Sequence, residues 1–157
     1  MKQPEHGRSV DHGRVLVVED SEEDAEAIER ALAQTHPELR LEFANRGEEV
    51  VAGLRGADEL PGLILLDLNM PGASGHTILG AIRSHPEFSA VTVVVFTSST
   101  APTEVDACYA AGADSYIYKP VNFHLFRTVL KGAVDYWQQT RSHAGSDGAG
   151  TGSPSVK

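Results

Sequence analysis

Five strand-forming stretches alternate with five helix-forming stretches between residues 14 and 139, and this alternation limits the possible folds more than any other feature. The predicted strands are residues 14–19, 39–44, 63–68, 91–99 and 114–119, and the predicted helices are 22–32, 47–55, 75–84, 102–111 and 122–139. Strands connected in this way form a parallel sheet with right-handed crossovers and helices on both faces. We therefore predict an α/β fold, a doubly wound (βα)5 domain whose five-stranded parallel sheet has the order 2-1-3-4-5.

The two ends of the chain differ in composition from this central part. Residues 1–13 are polar and lack periodicity, and residues 141–157 are rich in Gly and Ser. Such segments bury too little apolar surface to offset the entropy lost on ordering. We expect a flexible arm at 1–13, one domain with its own core at 14–140, and a disordered tail at 141–157.

Charge and composition exclude several classes of function. The chain has 157 residues and a net charge of −9, which argues against a surface for nucleic acid or anionic membranes. No apolar run reaches the roughly 20 residues that cross a bilayer, and the N-terminus lacks the apolar centre of a signal peptide. The single cysteine, Cys108, excludes an internal disulfide and a cysteine metal cluster. We expect a soluble cytoplasmic protein.

Acidic side chains follow two of the buried strands. Glu19 and Asp20 end the first strand, and Asp67 ends the third. If these strands are neighbours, the three carboxylates converge in the crevice where open sheets bind ligands. Clustered carboxylates share protons or hold a cation, and an all-oxygen site with room for water suits Mg²⁺. Capping of the first helix is the alternative role, but Ser21 can serve as N-cap, with Asp24 in the capping-box position.

Two further polar residues lie at neighbouring strand ends. Thr97 is placed at the end of the fourth strand and Lys119 at the end of the fifth. An ammonium, a hydroxyl and a divalent metal around one carboxylate form a site shaped for a phosphoryl group, whose transfer depends on positioning and charge neutralisation. An Asp carboxylate can itself be the nucleophile and form an aspartyl phosphate. Asp67 is best placed for this role, since it lies between the metal-binding acids and Lys119.

Four motifs, in this order, resemble the signature blocks of response-regulator receiver domains, which have the CheY-like (flavodoxin-like) fold. They are "VVEDS", "LILLDLNMPGASG", "VVVFTSS" and "YIYKP", and the resemblance extends from Arg14 to Gln139. The details "VEDS", "LILLDLNMPG" and "DYW" are most similar to the single-domain regulators that partner bacterial and cyanobacterial phytochromes. The resemblance implies a stand-alone response regulator of a two-component phosphorelay. Such a protein is a phosphoacceptor and not an enzyme, beyond self-phosphorylation from small donors and self-dephosphorylation.

The resemblance also implies roles for the acidic residues. Asp67 accepts a phosphoryl group from a phosphohistidine of a sensor histidine kinase, for which a bacteriophytochrome is a candidate. Glu19, Asp20, Asp67 and the backbone carbonyl of Asn69 bind Mg²⁺. The first acidic position is Glu, where many family members have Asp, and we expect the longer side chain of Glu19 to bind the metal through a water molecule.

The remaining signature residues are expected to respond to phosphorylation. The resemblance implies that Thr97 and Lys119 contact the phosphoryl oxygens and that the bond from Lys119 to Pro120 is a cis peptide. Tyr116 occupies the aromatic switch position. When the phosphate draws Thr97 toward it, Tyr116 rotates inward and changes the surface formed by the fourth helix, the fifth strand and the fifth helix.

We expect the output to be protein binding, because no second domain follows Gln139. The apolar and aromatic last helix favours a homodimer through the surface of the fourth helix, fifth strand and fifth helix. Tyr136 and Trp137 near its end can equally well cover the edge of the core or support the dimer.

Three alternatives belong to other classes of protein. A haloacid-dehalogenase-type phosphatase also uses Mg²⁺ and a nucleophilic Asp, but its chemistry needs an acid two residues later, where this chain has Asn69. A dinucleotide-binding Rossmann module needs a Gly-rich turn after the first strand, where this chain reads "EDSEED". A receiver domain that acts as a docking module without phosphorylation is disfavoured by the complete set of acids.

Overall fold

The computed structural model describes residues 9–68, 70, 74–98 and 101–146, of which 141–146 are described by their backbone alone. The strands are β1 (Val10–Val18), β2 (Arg40–Ala44), β3 (Leu60–Leu66), β4 (Thr92–Thr97) and β5 (Ser115–Tyr118). The helices are α1 (Glu22–Thr35), α2 (Glu48–Gly56), α3 (Gly75–Arg83), α4 (Pro102–Ala110) and α5 (Phe123–Ser146), with a 3-10 turn at Pro86–Phe88. All five predicted strands and all five predicted helices are present.

The five strands form one sheet in the order β2-β1-β3-β4-β5, with every neighbouring pair parallel. This confirms the predicted fold class and strand order. Because β1 lies between β2 and β3, Val18 at the end of β1 is in register with Leu66 at the end of β3. The residues that follow these two strands therefore lie next to each other.

The core consists of two apolar layers, one on each face of the sheet. Ile64 and Leu66 of β3 point into the layer covered by α2, α3 and α4, where Cys108 is fully buried. Leu63 and Leu65 point into the layer covered by α1 and α5. Alternate residues of β3 thus pack on opposite faces, which explains why its sequence is a continuous apolar run. Cys108 packs in the core, as a small apolar side chain does.

The first strand begins at Val10, four residues before its predicted start at residue 14, so residues 10–13 do not belong to the flexible arm. Val10 and Asp11 pair with Leu60 and Pro61 of β3, and the register shifts before Val15. Pairing with β3 fixes this backbone, whereas residues 10–13 carry no apolar alternation from which a strand could be predicted.

The last helix continues to Ser146, so residues 141–146 are helical and the prediction of a disordered tail is wrong for them. Extending an existing helix adds one hydrogen bond for each residue fixed, which allows a Gly- and Ser-containing sequence to prolong it. Residues 1–8 of the predicted arm and 147–157 of the predicted tail lie outside the described residues.

Trp137 of α5 covers the edge of the core, which settles one of the alternatives left open by the sequence. Its side chain is 4% exposed, and a Cβ atom at Gly62 of β3 would lie 2.9 Å from Trp137 Cζ2. Glycine at position 62 therefore leaves the room that the indole needs. The neighbouring Tyr136 is 65% exposed and remains available to a partner.

Among the helices of the described residues, none combines the length and the apolar character needed to cross a membrane.

Candidate functional site

Backbone hydrogen bonds continue the parallel ladder beyond the strand ends and place the predicted site residues side by side. The N–H of Asp67 donates to the carbonyl of Val18 at 3.1 Å, and the N–H of Lys119 donates to the carbonyl of Thr97 at 2.8 Å. The residues that end β1, β3, β4 and β5 therefore meet at one edge of the sheet, as the strand order predicts.

Three carboxylates lie together at this edge. One oxygen from each of Glu19, Asp20 and Asp67 lies within 4.8 Å of the other two. Glu19 is 4% and Asp67 6% exposed, whereas Asp20 is at least partly exposed to solvent. Ionised carboxylates at this spacing repel one another unless a proton or a cation lies between them. Three oxygen donors with one side open to water fit Mg²⁺, which retains several waters when bound to protein. Asn69, the fourth predicted ligand, lies outside the described residues.

Lys119 brings a positive charge to the same site. Its Nζ donates hydrogen bonds to Asp24 Oδ2 at 2.9 Å and to Glu19 Oε1 at 3.2 Å, and it lies 3.8 Å from Asp67 Oδ2. The side chain is buried, so these charges interact with less screening than on the surface. The proximity of Lys119 to Asp67 agrees with the prediction, whereas the contact with Asp24 was not predicted.

Burial and neighbouring charges shift the pKa values of Glu19 and Lys119. Burial raises the pKa of Glu19 and Asp67 adds to the effect, so that the pKa is about 7 although the charge of Lys119 opposes the shift. Burial would lower the pKa of Lys119, but the hydrogen bond from its ammonium to Asp24 and the charges of Glu19 and Asp67 hold that pKa above its usual value. Near neutral pH and without a cation, Glu19 is therefore partly protonated while Lys119 stays charged.

The start of α1 is built around Glu19 and Ser21. The Ser21 Oγ accepts a hydrogen bond from the N–H of Asp24 at 3.2 Å, which confirms Ser21 as the N-cap. The N–H of Ser21 donates to Glu19 Oε2 at 3.2 Å, and not to Asp24 as a full capping box requires. The predicted capping-box role of Asp24 is therefore wrong. Its carboxylate binds the ammonium of Lys119 instead, which is a stronger partner than a neutral N–H.

The geometry explains why the longer glutamate, and not an aspartate, suits position 19. Its two carboxylate oxygens bridge the N–H of Ser21 and the Nζ of Lys119. The longer side chain reaches both groups while still presenting an oxygen to Asp20 and Asp67. Glu19 therefore connects the first helix to the acid cluster.

The two predicted switch residues are on neighbouring strands. Thr97 is fully buried at the end of β4, and Tyr116 of β5 lies beside Val95 of β4 in the strand register. The Tyr116 side chain packs against the core layer that contains Cys108, and its hydroxyl is buried without a hydrogen-bond partner among the described residues. Burial raises the pKa of this phenol. The structure thus holds Tyr116 in an inward position.

The peptide bond between Lys119 and Pro120 is trans, and the predicted cis bond is wrong. The trans form of an X-Pro bond is favoured by about 0.5–1 kcal/mol unless the surrounding structure imposes the other isomer.

Gly75, at the start of α3, is a site residue that the sequence pattern does not reveal. Its N–H donates to the carbonyl of Leu68 at 3.1 Å, and a Cβ atom there would lie 2.6 Å from the Leu68 Cα and 2.8 Å from the Asp67 carbonyl oxygen. A larger residue would push the helix away from the segment that carries Asp67. In the sequence, Gly75 is only a glycine near a predicted helix start.

Two relatives are similar in sequence to most of this chain. The probable methanogenesis regulatory protein FilR2 of Methanothrix harundinacea is 32% identical over 127 residues, which cover 78% of this chain and 82% of the relative. The response regulator Rcp1 of Synechocystis is 30% identical over 131 residues, which cover 80% of this chain and 89% of the relative.

Solved structures agree with the fold and extend the similarity to phytochrome systems. The phosphorylated cyanobacterial phytochrome response regulator RcpA has a TM-score of 0.76 and 31% identity, with 83% of this chain and 96% of RcpA covered. The Mn²⁺-bound form of Rcp1 has a TM-score of 0.73 and 29% identity, with 81% of this chain and 95% of Rcp1 covered. The similarity to phytochrome response regulators stated from the sequence is confirmed.

The family model for the response regulator receiver domain matches residues 15–131, which is well over half of the chain. The matched range contains all five strands except the first part of β1, together with every predicted site residue. The carboxylate cluster, the buried lysine and the sheet order are thus found in a chain that belongs to the response regulator receiver domain family.

Proposed function

We propose that this protein accepts a phosphoryl group on Asp67 from a phosphohistidine of a sensor histidine kinase, in a Mg²⁺-dependent reaction. The observation that carries the proposal is the arrangement around Asp67. Its carboxylate lies in a three-carboxylate cluster suited to a divalent cation and is 3.8 Å from the buried ammonium of Lys119. One nucleophile between two sources of positive charge is the arrangement that phosphoryl transfer needs.

In the proposed transfer, a carboxylate oxygen of Asp67 forms a bond to phosphorus while the bond from phosphorus to the histidine nitrogen breaks. The imidazole leaves with the electron pair and takes up a proton from solvent. Lys119 neutralises charge on the phosphoryl oxygens, and the Thr97 hydroxyl donates a hydrogen bond to one of them. When bound, Mg²⁺ supplies further charge neutralisation. Its proposed protein ligands are Glu19, Asp20, Asp67 and the carbonyl of Asn69.

The proposed response to phosphorylation uses Thr97 and Tyr116. As Thr97 moves toward the phosphoryl group, the inward position of Tyr116 becomes more favourable, and the population shifts between two existing states. The Tyr116 hydroxyl, which is buried without a hydrogen-bond partner among the described residues, supports this idea, because such a hydroxyl destabilises the inward state until other interactions compensate.

The proposed output surface consists of α4, β5 and α5. It presents the exposed apolar side chains of Tyr109, Tyr118, Leu125 and Tyr136, and Val121 is exposed in the loop between β5 and α5. Exposed apolar groups on adjacent elements are typical of protein-interaction sites. We propose that two copies of the chain associate through this surface.

The similarity to RcpA and Rcp1 supports a bacteriophytochrome as the partner kinase. We also propose that the protein acts in the cytoplasm, where such a kinase would meet its regulator.

Phosphorylation of Asp67 is tested by incubation with acetyl phosphate and Mg²⁺. The wild-type protein should gain the mass of one phosphoryl group, and Asp67→Asn should gain none because an amide is not a nucleophile for this reaction. Asp58→Asn, which changes an exposed carboxylate in the loop before β3, is the matched control and should gain the group like wild type. Intact mass spectrometry measures all three. An unmodified wild-type protein would instead favour the unphosphorylated docking module.

The raised pKa of Glu19 predicts how stability depends on pH in the absence of Mg²⁺. The folded pKa of about 7 lies above the unfolded value of 4.5, so between these values the folded state binds more protons than the unfolded state. The free energy of unfolding should therefore fall by roughly 1–3 kcal/mol as the pH rises from 5 to 8. Glu19→Gln should remove this part of the pH dependence, as measured by urea unfolding, and Mg²⁺ should oppose the loss in wild type. Equal pH profiles for the two proteins would contradict the assignment.

Association through the output surface is tested by light scattering with beryllofluoride as a phosphoryl mimic. Wild type with Mg²⁺ and beryllofluoride should approach twice the monomer mass. Leu125→Asp, at a 53% exposed position of α5, should stay monomeric because a charge is introduced into the apolar contact. Phe43→Asp changes an exposed apolar residue on β2, at the opposite edge of the sheet, and should still dimerise. A monomeric wild type under these conditions would rule the dimer out.

A further inference from the structure

Asp24 is the nearest carboxylate to the ammonium of Lys119, although it lies outside the acid cluster. The Nζ of Lys119 is 2.9 Å from Asp24, 3.2 Å from Glu19 and 3.8 Å from Asp67. Asp24 is on the first turn of α1, whereas Glu19 and Asp67 follow strands. The lysine is therefore bound from the helix side by a residue for which the sequence predicted only a capping role.

Local structure leaves the Asp24 carboxylate available for this contact. Its own N–H bonds to the Oγ of Ser21, so the helix N-cap is complete without its side chain. The N–H of Ser21, which a capping-box acid would accept, is bonded to Glu19. Among the residues that the structure describes, no capping contact of the Asp24 carboxylate competes with Lys119.

Asp24 and Glu19 use two of the three N–H groups of Lys119 and hold the ammonium beyond hydrogen-bond distance from Asp67 Oδ2. Without Asp24, attraction between opposite charges in a buried site would draw the ammonium onto Asp67. A lysine in direct contact would cover a nucleophilic oxygen and compete with a cation for the same carboxylate. At 3.8 Å, the ammonium is not in hydrogen-bond contact with Asp67 Oδ2 but is near enough to reach a phosphoryl oxygen attached to Asp67.

We propose that Asp24 is a positioning residue that holds Lys119 away from the Asp67 carboxylate and in place for an incoming phosphoryl group. The proposal rests on the proposed phosphoacceptor function. It predicts that loss of Asp24 slows phosphorylation and weakens Mg²⁺ binding, both through Lys119.

The first test compares Asp24→Ala with Glu23→Ala. Both substitutions remove one negative charge from the first turn of α1, but Glu23 is exposed and is not among the hydrogen-bond partners of Lys119. With acetyl phosphate and saturating Mg²⁺, Asp24→Ala should lower the maximal phosphorylation rate roughly tenfold, the scale of one charge-assisted hydrogen bond. The half-saturating donor concentration should stay unchanged, and Asp24→Glu should restore most of the rate. A maximal rate equal to that of Glu23→Ala would overturn the proposal.

The second test measures Mg²⁺ binding by calorimetric titration and needs no phosphorylation. Asp24→Ala should weaken binding several-fold more than Glu23→Ala, because the released lysine competes for Asp67. In a Lys119→Met background, the two substitutions should have equal effects. Equal effects in the wild-type background as well would overturn the proposal.

The two tests separate this inference from the proposed function. If wild type accepts a phosphoryl group while Asp24→Ala behaves like Glu23→Ala in both measurements, the role of Asp24 is wrong and the phosphoacceptor function stands. If wild type accepts none but the Mg²⁺ titrations differ as expected, Asp24 does hold Lys119 away from Asp67, and the phosphoacceptor function is wrong.

Discussion

The fold places more negative than positive charge at one edge of its sheet, and the properties of the site depend on this imbalance. Parallel strands in the order β2-β1-β3-β4-β5 bring Glu19, Asp20 and Asp67 within 4.8 Å of one another. Like charges at this distance destabilise the folded chain unless something offsets them. Lys119 offsets part of the negative charge, and burial raises the pKa of Glu19, which favours its neutral form. The negative charge that is not offset is available to bind a cation.

Hydrogen bonds made by the charged residues connect the site to the rest of the molecule. Glu19 bonds the backbone of Ser21, and Asp24 bonds Lys119, so the first turn of α1 shares the charges of the site. On the other side, the backbone of Lys119 bonds Thr97, which joins β5 to the end of β4. The proposed phosphorylation of Asp67 would therefore change the charge beside elements from both halves of the sheet.

The sequence predicted the fold well because its signals were local and repeated. Alternating strand and helix patterns determine a parallel sheet, and residues at strand ends then have to meet at one edge. Predictions failed where long-range contacts decide. The start of β1 depends on pairing with β3, and the contact of Asp24 with Lys119 joins residues 95 positions apart in the chain. The importance of Gly75 depends on the close approach of Leu68, which no pattern shows.

The most direct measurement is a crystal structure with Mn²⁺ and beryllofluoride, using the anomalous signal of the metal. We expect one metal peak among the carboxylates of Glu19, Asp20 and Asp67, beryllium bonded to Asp67, and the Nζ of Lys119 within hydrogen-bond distance of a fluorine atom. A metal bound elsewhere, or a Lys119 ammonium that stays out of reach of the fluoride, would contradict this expectation.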